Sequence, residues 1–542
     1  MQTHLKIGLS VLLVAVTVAL YWPSLHYMPF FDDKNFFERG TLDSIFLNGF
    51  AFELRWLPYY TMAWVNLIFD DNILAQRCVS VGLHLVTAFV LYTFIKKASH
   101  HTAPHQNNDR AAIAAALLFI VHPLAIYTVG YLAQRTMLMA TLFGLLSLNT
   151  FFDGLVSRKK SSFLFSALFY LLATFSKEHA VLIPAAALAL TPLAAPLTRR
   201  TWHQLVLPLS LFVPIAILVI FKSRSVVGQT YEPFVESLIV QHVGGDSPLV
   251  IWLLSILTQA SLFFKYLGVM LIPYPGWMSI DMRVPFATNL LDPKYVFGLL
   301  AFLAYGVAAS LLLLRGGRRS LIGFSLLAPW LLFGVELSTV RIQEPFVLYR
   351  SYLWMAPLFL LVPAVSYKLP SKLFWPIILI VALAFALAAG NRLKSFSDEY
   401  ALWDDAVRKL PDERALGAAR TFTNRGYANS KQGDLKAAIA DFTLALRADA
   451  TYKGAYQNRA FAYMKLGDFQ AALRDANTFI RLHPDDPDGL ASRGTIYRFK
   501  GDLGLAKKDY EQACQGKSAK GCIALKILRG RVRVRHDYFV PC

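Results

Sequence analysis

The octapeptide FFDDKNFF, residues 30–37, sets two adjacent carboxylates, Asp32 and Asp33, among four phenylalanines. Neighbouring acids repel, which raises the pKa of one of them and suits it to take a proton from a hydroxyl. Three cations, Arg135, Lys177 and Arg350, stand at the ends of apolar stretches far apart in the chain. An arginine supplies a forked donor and a lysine a point charge, which is equipment for holding an oxyanion. Residue type alone leaves a second reading open for each. An acid pair at a helix end is also a solvated terminus, and Arg135 and Lys177 also serve as anchors at a membrane interface.

The elements that must position these groups read as membrane helices. Of 542 residues, 56% are hydrophobic and 16% charged, with a mean hydropathy of +0.44. Soluble domains carry about 25% charged residues, so the balance predicts a polytopic membrane protein rather than one with a single anchor. The net charge of +19 does not point to a nucleic-acid partner. Much of it lies in short clusters between apolar stretches, at Lys96-Lys97, Arg158-Lys159-Lys160, Arg199-Arg200 and Arg315 with Arg318-Arg319, as expected of cytoplasmic helix ends.

Apolar stretches near residues 7–25, 74–95, 111–131, 137–156, 162–176, 180–197, 203–221, 295–314, 320–338, 351–367 and 373–390 predict about eleven crossings. Residues 248–273 are long enough to cross but contain Gln259 and Lys265, and a crossing there would put Arg315–Arg319 outside. A re-entrant or interfacial helix is expected instead. The amino terminus then lies inside and the carboxyl terminus outside, with residues 30–37, 132–136, 177–179, 222–294 and 339–350 all on the outer side. No small-x-small cleavage site precedes Asp32, so the first stretch reads as a span and not a signal peptide.

After residue 390 the composition changes, giving an expected division into a membrane domain, 1–390, and a second domain, 391–542. Asn424-Arg425-Gly426, Asn458-Arg459-Ala460 and Ser492-Arg493-Gly494 recur every 34 residues, as do Gly433-Asp434, Gly467-Asp468 and Gly501-Asp502, and Ala438, Ala472 and Ala506. That is the tetratricopeptide period: two antiparallel helices per repeat, stacked into an α-solenoid whose concave face binds partners. Residues 403–410 are expected to supply a leading helix. The histidines, including His100, His101 and His105 in one loop, show no metal-ligand spacing with cysteine or acid, and no metal site is expected. RGRVRVRH, residues 529–536, reads as a solvated basic tail. Cys78 falls in the second span and is expected to be an inert core thiol. Cys542 is expected to be unpaired. Cys514 and Cys522, eight residues apart, resemble the cysteines of cysteine-rich relatives of the tetratricopeptide repeat, and that resemblance implies a disulfide tying two helices of a hairpin, which an outer location permits.

HPLAIYTVGYLAQRTMLMATLFGLLSL from His122, FSKEHAVLIP from Phe175, IPYPGWMSIDMRVP from Ile272 and YRSYLW from Tyr349 follow FFDDKNFF in order, ahead of the repeats. In this the chain resembles bacterial tetratricopeptide-bearing membrane proteins allied to the transmembrane and tetratricopeptide-repeat O-mannosyltransferases, which are similar to the GT-C glycosyltransferases. The similarity runs over nearly the whole chain. Tyr127 and the pair Leu348-Tyr349 depart from it where relatives carry acids or histidine. The resemblance implies an all-α fold: a GT-C-like helical membrane domain followed by the solenoid. It also implies a bacterial inner-membrane enzyme with extracytoplasmic repeats, moving a sugar from a polyprenyl-phosphate donor to a hydroxyl on a protein, pilin-like or otherwise, that the repeats hold. Transfer would be inverting. One of Asp32 and Asp33 would be the base and the other would tune or orient it. Arg135, Lys177 and Arg350 would form a phosphate clamp, Glu178 would orient Lys177 or Arg135, and Tyr352 would donate to phosphate or sugar. His122 and Asp281 are candidates for lining the site. No cofactor is expected beyond the donor itself, and a divalent metal is left open. The alternatives are a glycan or lipid acceptor, or a non-enzymatic scaffold or transporter whose repeats recruit partners.

Overall fold

A computed structural model of the chain describes residues 2–37, 41–47, 49, 53–105, 107–229 and 247–530, with the side chains of 2–7, 9 and 10 left out. Residues 531–542, which hold Cys542 and most of the RGRVRVRH tail, lie outside the described residues, as do residues 230–246 of the 222–294 stretch. All the regular elements of the described residues are helices, with no β-strand among them. It forms two compact units. One runs to Asp398 without residues 281–285, and the other holds 281–285 and everything from Glu399 onward.

The first unit opens with α1 (Gln2–Tyr21) and three helices, α2 (Asp33–Phe37), α3 (Thr41–Leu47) and α4 (Trp56–Phe69). The run that follows comprises α5 (Ile73–Thr102), α6 (Asn108–Ile120), α7 (Pro123–Val129), α8 (Arg135–Ser157), α9 (Lys160–Ser176), α10 (Ile183–Ala194) and α11 (Arg199–Lys222). The unit continues with α12 (Pro248–Leu271), α13 (Pro293–Leu313), α14 (Gly317–Phe333), α15 (Ser351–Leu358), α16 (Leu361–Ser366) and α17 (Ser371–Lys394). Seven of the described helices are long and apolar enough to cross a membrane, or eight if α6 and α7 are one span bent by 57°. Val11–His26, Lys160–Ser176 and Glu178–Ala194 are apolar but shorter. The 351–367 stretch is broken into pieces of eight and six residues, with Pro357 inside the first and Pro363 inside the second.

The α6–α7 bend follows from local chemistry. Pro123 has no N–H to donate, and His122 turns back to cap the new helix, its Nδ1 accepting from the Leu124 amide at 3.2 Å. The Nε2–H of His122 donates to the Met270 carbonyl at 3.0 Å, and its ring packs on Phe359 and Phe385. His122 therefore holds helices together.

α12 is a single unbroken helix with no turn inside it, so the re-entrant form of the expectation does not describe it. One face of α12, at spacings of three, four and seven residues, carries Trp252, Ser255, Gln259 and Tyr266. They donate to the carbonyls of Leu337, Thr339, Pro345 and Val347 at 2.8–3.3 Å. The Ser255 and Tyr266 hydroxyls also accept from the amides of Arg341 and Val347. Lys265 places its ammonium 4.7 Å from the Phe346 ring centre. The polar residues that made this stretch ambiguous in sequence are the backbone partners of a segment, 337–347, that is irregular after the short 3-10 turn ending at Ser338. Cys78 is exposed on the surface of α5, not in a core, because it shares a face with outward-pointing residues of that helix.

In the second unit α18 (Glu399–Arg408) leads three hairpins: α19 (Ala418–Lys431) with α20 (Leu435–Ala448), α21 (Lys453–Lys465) with α22 (Phe469–Leu482), and α23 (Asp488–Lys500) with α24 (Leu503–Gln515). α25 (Ala519–Leu528) follows. Each hairpin turns on a glycine in the left-handed region, Gly433, Gly467 and Gly501 at φ +88°, +82° and +100°. The buried alanines Ala438, Ala472 and Ala506 let paired helices approach. Arg425, Arg459 and Arg493 each form a forked pair with an aspartate sixteen residues on: Asp441, Asp475 and Asp509. Each also reaches back to the helix before its hairpin, to Asp404, Thr443 and Asn477 respectively. Cys514 and Cys522 are disulfide-bonded, their Cα atoms 4.5 Å apart, joining α24 to α25.

Candidate active site

A cavity of about 650 Å³ opens in the first unit, within the usual range for small-molecule sites. Its walls come from the α2 start, the α4 start, and the connections α7–α8, α9–α10, α11–α12 and α14–α15. The ionisable residues around it are Asp32, Arg55, Lys177, Glu178, His179, Arg341, Glu344 and Arg350, with Tyr59 and Tyr349 among them. Its apolar lining includes Val181, Leu182, Val219, Ile220, Val226 and Val227.

The phenylalanines of FFDDKNFF are packing anchors. Phe30 stacks on Tyr131 and lies edge-on to Phe396, and Phe31, with φ of 52°, tilts against Tyr131. This forces the two acids into different surroundings. Asp32 borders the cavity and accepts from the Tyr131 hydroxyl at 2.6 Å. Asp33 is fully buried, begins α2, and accepts from the amides of Ala133 at 2.7 Å and Leu132 at 3.3 Å. Burial pushes the Asp33 carboxyl up to about 7, opposed by those two amides and by Arg77, with Asp32 adding to the rise. Arg77 ties the same turn from behind, donating to the carbonyls of Tyr27, Met28 and Gly130. Asp33 thus holds the loop on which Tyr131 meets Asp32.

The expected clamp assembles in part. Lys177 and Arg350 both line the cavity, but Arg135 does not. Its guanidinium is buried inside the unit, donating to the Gln76 carbonyl at 2.8 Å behind Asp33. Arg55 and Arg341 take its place on the cavity wall. Arg55, at φ 64° just before α4, makes a forked pair with Glu178 at 2.9 and 2.5 Å. Glu178 therefore fixes Arg55, and neither Lys177 nor Arg135 is its hydrogen-bonded partner. Arg350 donates to the buried Glu336 at 3.0 Å and lies 3.8 Å from Glu344. Glu336 also pairs with His179 at 3.1 Å and stands 3.5 Å from Arg341. Lys177 is 6% exposed, and its ammonium has neither a hydrogen bond nor an ion pair among the described residues. Burial, together with the charges of Arg55, Arg350 and Arg341 and against the pull of Glu178, brings its ammonium down from 10.5 to about 7. Burial pushes the Tyr349 phenol up to about 12, so it stays a donor.

Tyr352 is elsewhere. Its hydroxyl meets His84 Nδ1 at 2.6 Å in the helix core, ringed by Phe119. His122 is the helix joint already described and does not line the cavity. Asp281 belongs to the second unit, where it accepts from Arg283 at 2.6 Å and Thr421 at 2.8 Å. Among the described residues no three His, Cys, Asp or Glu side chains come close enough to hold a metal ion.

Sequence reasoning missed Arg55, Arg77, Arg341, Glu336 and Glu344. A lone arginine inside an apolar span, as Arg77 is, was a readable signal. Arg55 stood ahead of an aromatic run too short to count as a span.

The arrangement gathers three carboxylates, of which Glu178 and Glu344 lie beside arginines and Asp32 accepts from Tyr131, with an unpartnered cation, three paired ones and an apolar part of the lining. That is suited to an anion carried on an apolar group, with a proton acceptor near it.

The tetratricopeptide-repeat family model matches residues 419–452, 454–486 and 488–515. No curated protein matches the chain. Among solved structures, the first such domain of Spaghetti (RPAP3) bound to an HSP90 peptide is 27% identical, over 21% of this chain and 90% of that one, at a TM-score of 0.19. The second such domain of human RPAP3 with an HSP70 peptide is 28% identical, over 20% and 94%, at 0.19. The Arabidopsis OM64 domain is 22% identical, over 22% and 100%, at 0.20. On the family-model match, residues 419–452, 454–486 and 488–515 are tetratricopeptide repeats.

Proposed function

We propose that this chain is a membrane glycosyltransferase of the GT-C type. It moves a sugar from a polyprenyl-phosphate donor to a hydroxyl of an extracytoplasmic acceptor, a protein held by the repeats. The observation that carries the reading is the cavity whose lining joins Asp32 with Lys177, Arg341 and Arg350 and a set of apolar side chains.

In this reading the helical unit crosses the inner membrane about eleven times. α12 lies along the outer face, its polar side spent on the 337–347 backbone. The repeats are then extracytoplasmic, where a Cys514–Cys522 disulfide is stable.

The donor phosphate sits against Lys177 and Arg350 with its prenyl chain toward the valine-rich lining. The acceptor hydroxyl attacks the anomeric carbon while Asp32 takes its proton. The bond from that carbon to the phosphate oxygen breaks, and its electron pair leaves with the lipid phosphate. A single displacement inverts the configuration. The extra negative charge on the leaving phosphate is met by Lys177, whose proton is shared with no carboxylate, and by the Arg350 fork. Tyr131 orients the base through its 2.6 Å bond.

The test is purified full-length protein with a panel of polyprenyl-phosphate-linked hexoses and a hydroxyl-bearing acceptor peptide. Asp32→Asn should retain donor and lose transfer by about 10²-fold or more. Transfer by Asp32→Asn at the parent rate would sink the reading.

A further inference from the structure

A basic corner forms at the helix ends remote from the cavity. α14 starts there and ends at the cavity wall; the α6 start, the α16 end and the α17 start complete the corner. The Arg318 guanidinium lies 3.6 Å from the Tyr367 ring centre, with the His105 ring 6.2 Å and the Lys368 ammonium 5.7 Å from the same ring. Arg110 donates to the Ser371 hydroxyl at 3.0 Å. Three segments distant in sequence thus converge on one aromatic ring and the turn after it.

Counter-charge separates this corner from the end of α5. Lys96 and Lys97, at the end of α5, are paired with Asp109 at 2.9 Å and Asp153 at 2.6 Å. Among the described residues Arg110, Arg318 and Lys368 have no carboxylate within 4.0 Å. Two buried hydroxyls beside them, Ser320 and Ser366, have no hydrogen-bond partner among the described residues. The surface next to the cations is apolar and open: Leu314, Val365 and Leu373 are each more than half exposed. Cations that only marked a membrane face would need neither convergence on a ring nor an apolar margin.

We propose that this corner binds the headgroup of an anionic phospholipid: a phosphodiester engaged by the Arg110 and Arg318 forks and the Lys368 point charge, with acyl chains along Leu314, Val365 and Leu373. The inference rests on the membrane reading above, in which this end of the unit faces the inner leaflet.

The experiment uses the full chain in neutral detergent, with phosphatidylglycerol and phosphatidylcholine of matched chains added and bound lipid counted by native mass spectrometry. The parent should retain phosphatidylglycerol preferentially. Each cation near a headgroup is worth about fivefold in affinity, so Arg110→Gln, Arg318→Gln and Lys368→Gln together should lower retention by roughly a hundredfold. A control triple, Lys160→Gln, Arg199→Gln and Arg200→Gln, should keep it. Equal retention of the two lipids by the parent, undiminished phosphatidylglycerol in the corner triple, or an equal loss in the control would each overturn the site. Displacement of the lipid by equimolar glycerophosphoglycerol or inorganic phosphate would overturn its assignment to a lipid. Flotation with pure phosphatidylcholine vesicles keeps the two readings apart. Proteins that still insert there, with no anionic preference, refute the corner and leave the membrane reading standing; a parent that does not insert refutes both.

Discussion

Lys177→Met separates what the cavity needs from what the fold needs. Lys177 is almost fully buried, without a partner, and among three arginines, so its charge opposes folding. Its fall from 10.5 to about 7 spans about three and a half units, an upper bound of about 5 kcal/mol at 1.36 kcal/mol per unit. The ammonium borders a wet cavity and not a dry core, so about half of that is expected in practice, a gain of roughly 2–3 kcal/mol on replacement by an uncharged side chain of similar length. The sign follows from proton counting. Between about pH 7 and pH 10.5 the unfolded chain holds the Lys177 proton and the fold does not, so the parent gains stability as pH rises through that window and the variant does not. The difference should be largest at pH 7 and below, and nearly gone at pH 10. Denaturant unfolding of the purified chain at pH 7 and 9.5 measures it, alongside equilibrium binding of polyprenyl phosphate, which should weaken by at least tenfold in the variant. A Lys177→Met protein no more stable than the parent at pH 7, or a gain that grows with pH, would refute the argument that this lysine is a strained charge awaiting an anion.

Other outcomes follow from the same contacts. Arg459→Ala leaves the Asp475 carboxylate buried without its fork and should destabilise the repeats by about 2–3 kcal/mol in chemical unfolding. Tyr352→Phe loses one core hydrogen bond to His84 and should lower stability by about 1 kcal/mol while transfer stays near the parent rate; a large loss of turnover would move Tyr352 into the site. Cys514→Ser with Cys522→Ser opens an eight-residue loop and should lower the stability of the carboxyl-terminal helices by about 2–3 kcal/mol, read by proteolysis of the last hairpin. Equal thiol labelling of the parent with and without reductant would show that no bond was there to remove.

The repeats were legible because their signal is periodic. Two features with one 34-residue spacing cannot easily arise otherwise, and the partner aspartates at Asp441, Asp475 and Asp509 carry the same spacing, a regularity available to anyone counting acids. The site was half legible. Lys177 and Arg350 flank apolar stretches and do meet, because span ends on one side of a bundle converge. Arg135 has the same sequence appearance but turns inward, since the Gln76 carbonyl and the Asp33 carboxylate lie on its side of α8. Which aspartate faces the cavity depends on a left-handed Phe31 and the stacking of Phe30, and neither is written in the order of residues. Arg55 and Arg341 escaped because their segments are too short or too irregular for a hydropathy reading. The 337–347 stretch is held by one face of α12, a tertiary relation with no local signature.

The backward reach of Arg425, Arg459 and Arg493 gives the array a polarity. Each arginine bonds its own hairpin and the helix before it, and none of the three reaches forward. Trimming hairpins from the carboxyl end leaves every remaining arginine with its full set of partners, so shortened arrays inherit intact joints. Removing α18 deprives Arg425 of Asp404 at once. A protease or a pulling force therefore meets a structure that shortens cleanly from one end and is undermined from the other, and lengthening by tandem duplication is simplest as whole 34-residue cassettes, each supplying the anchor its successor needs.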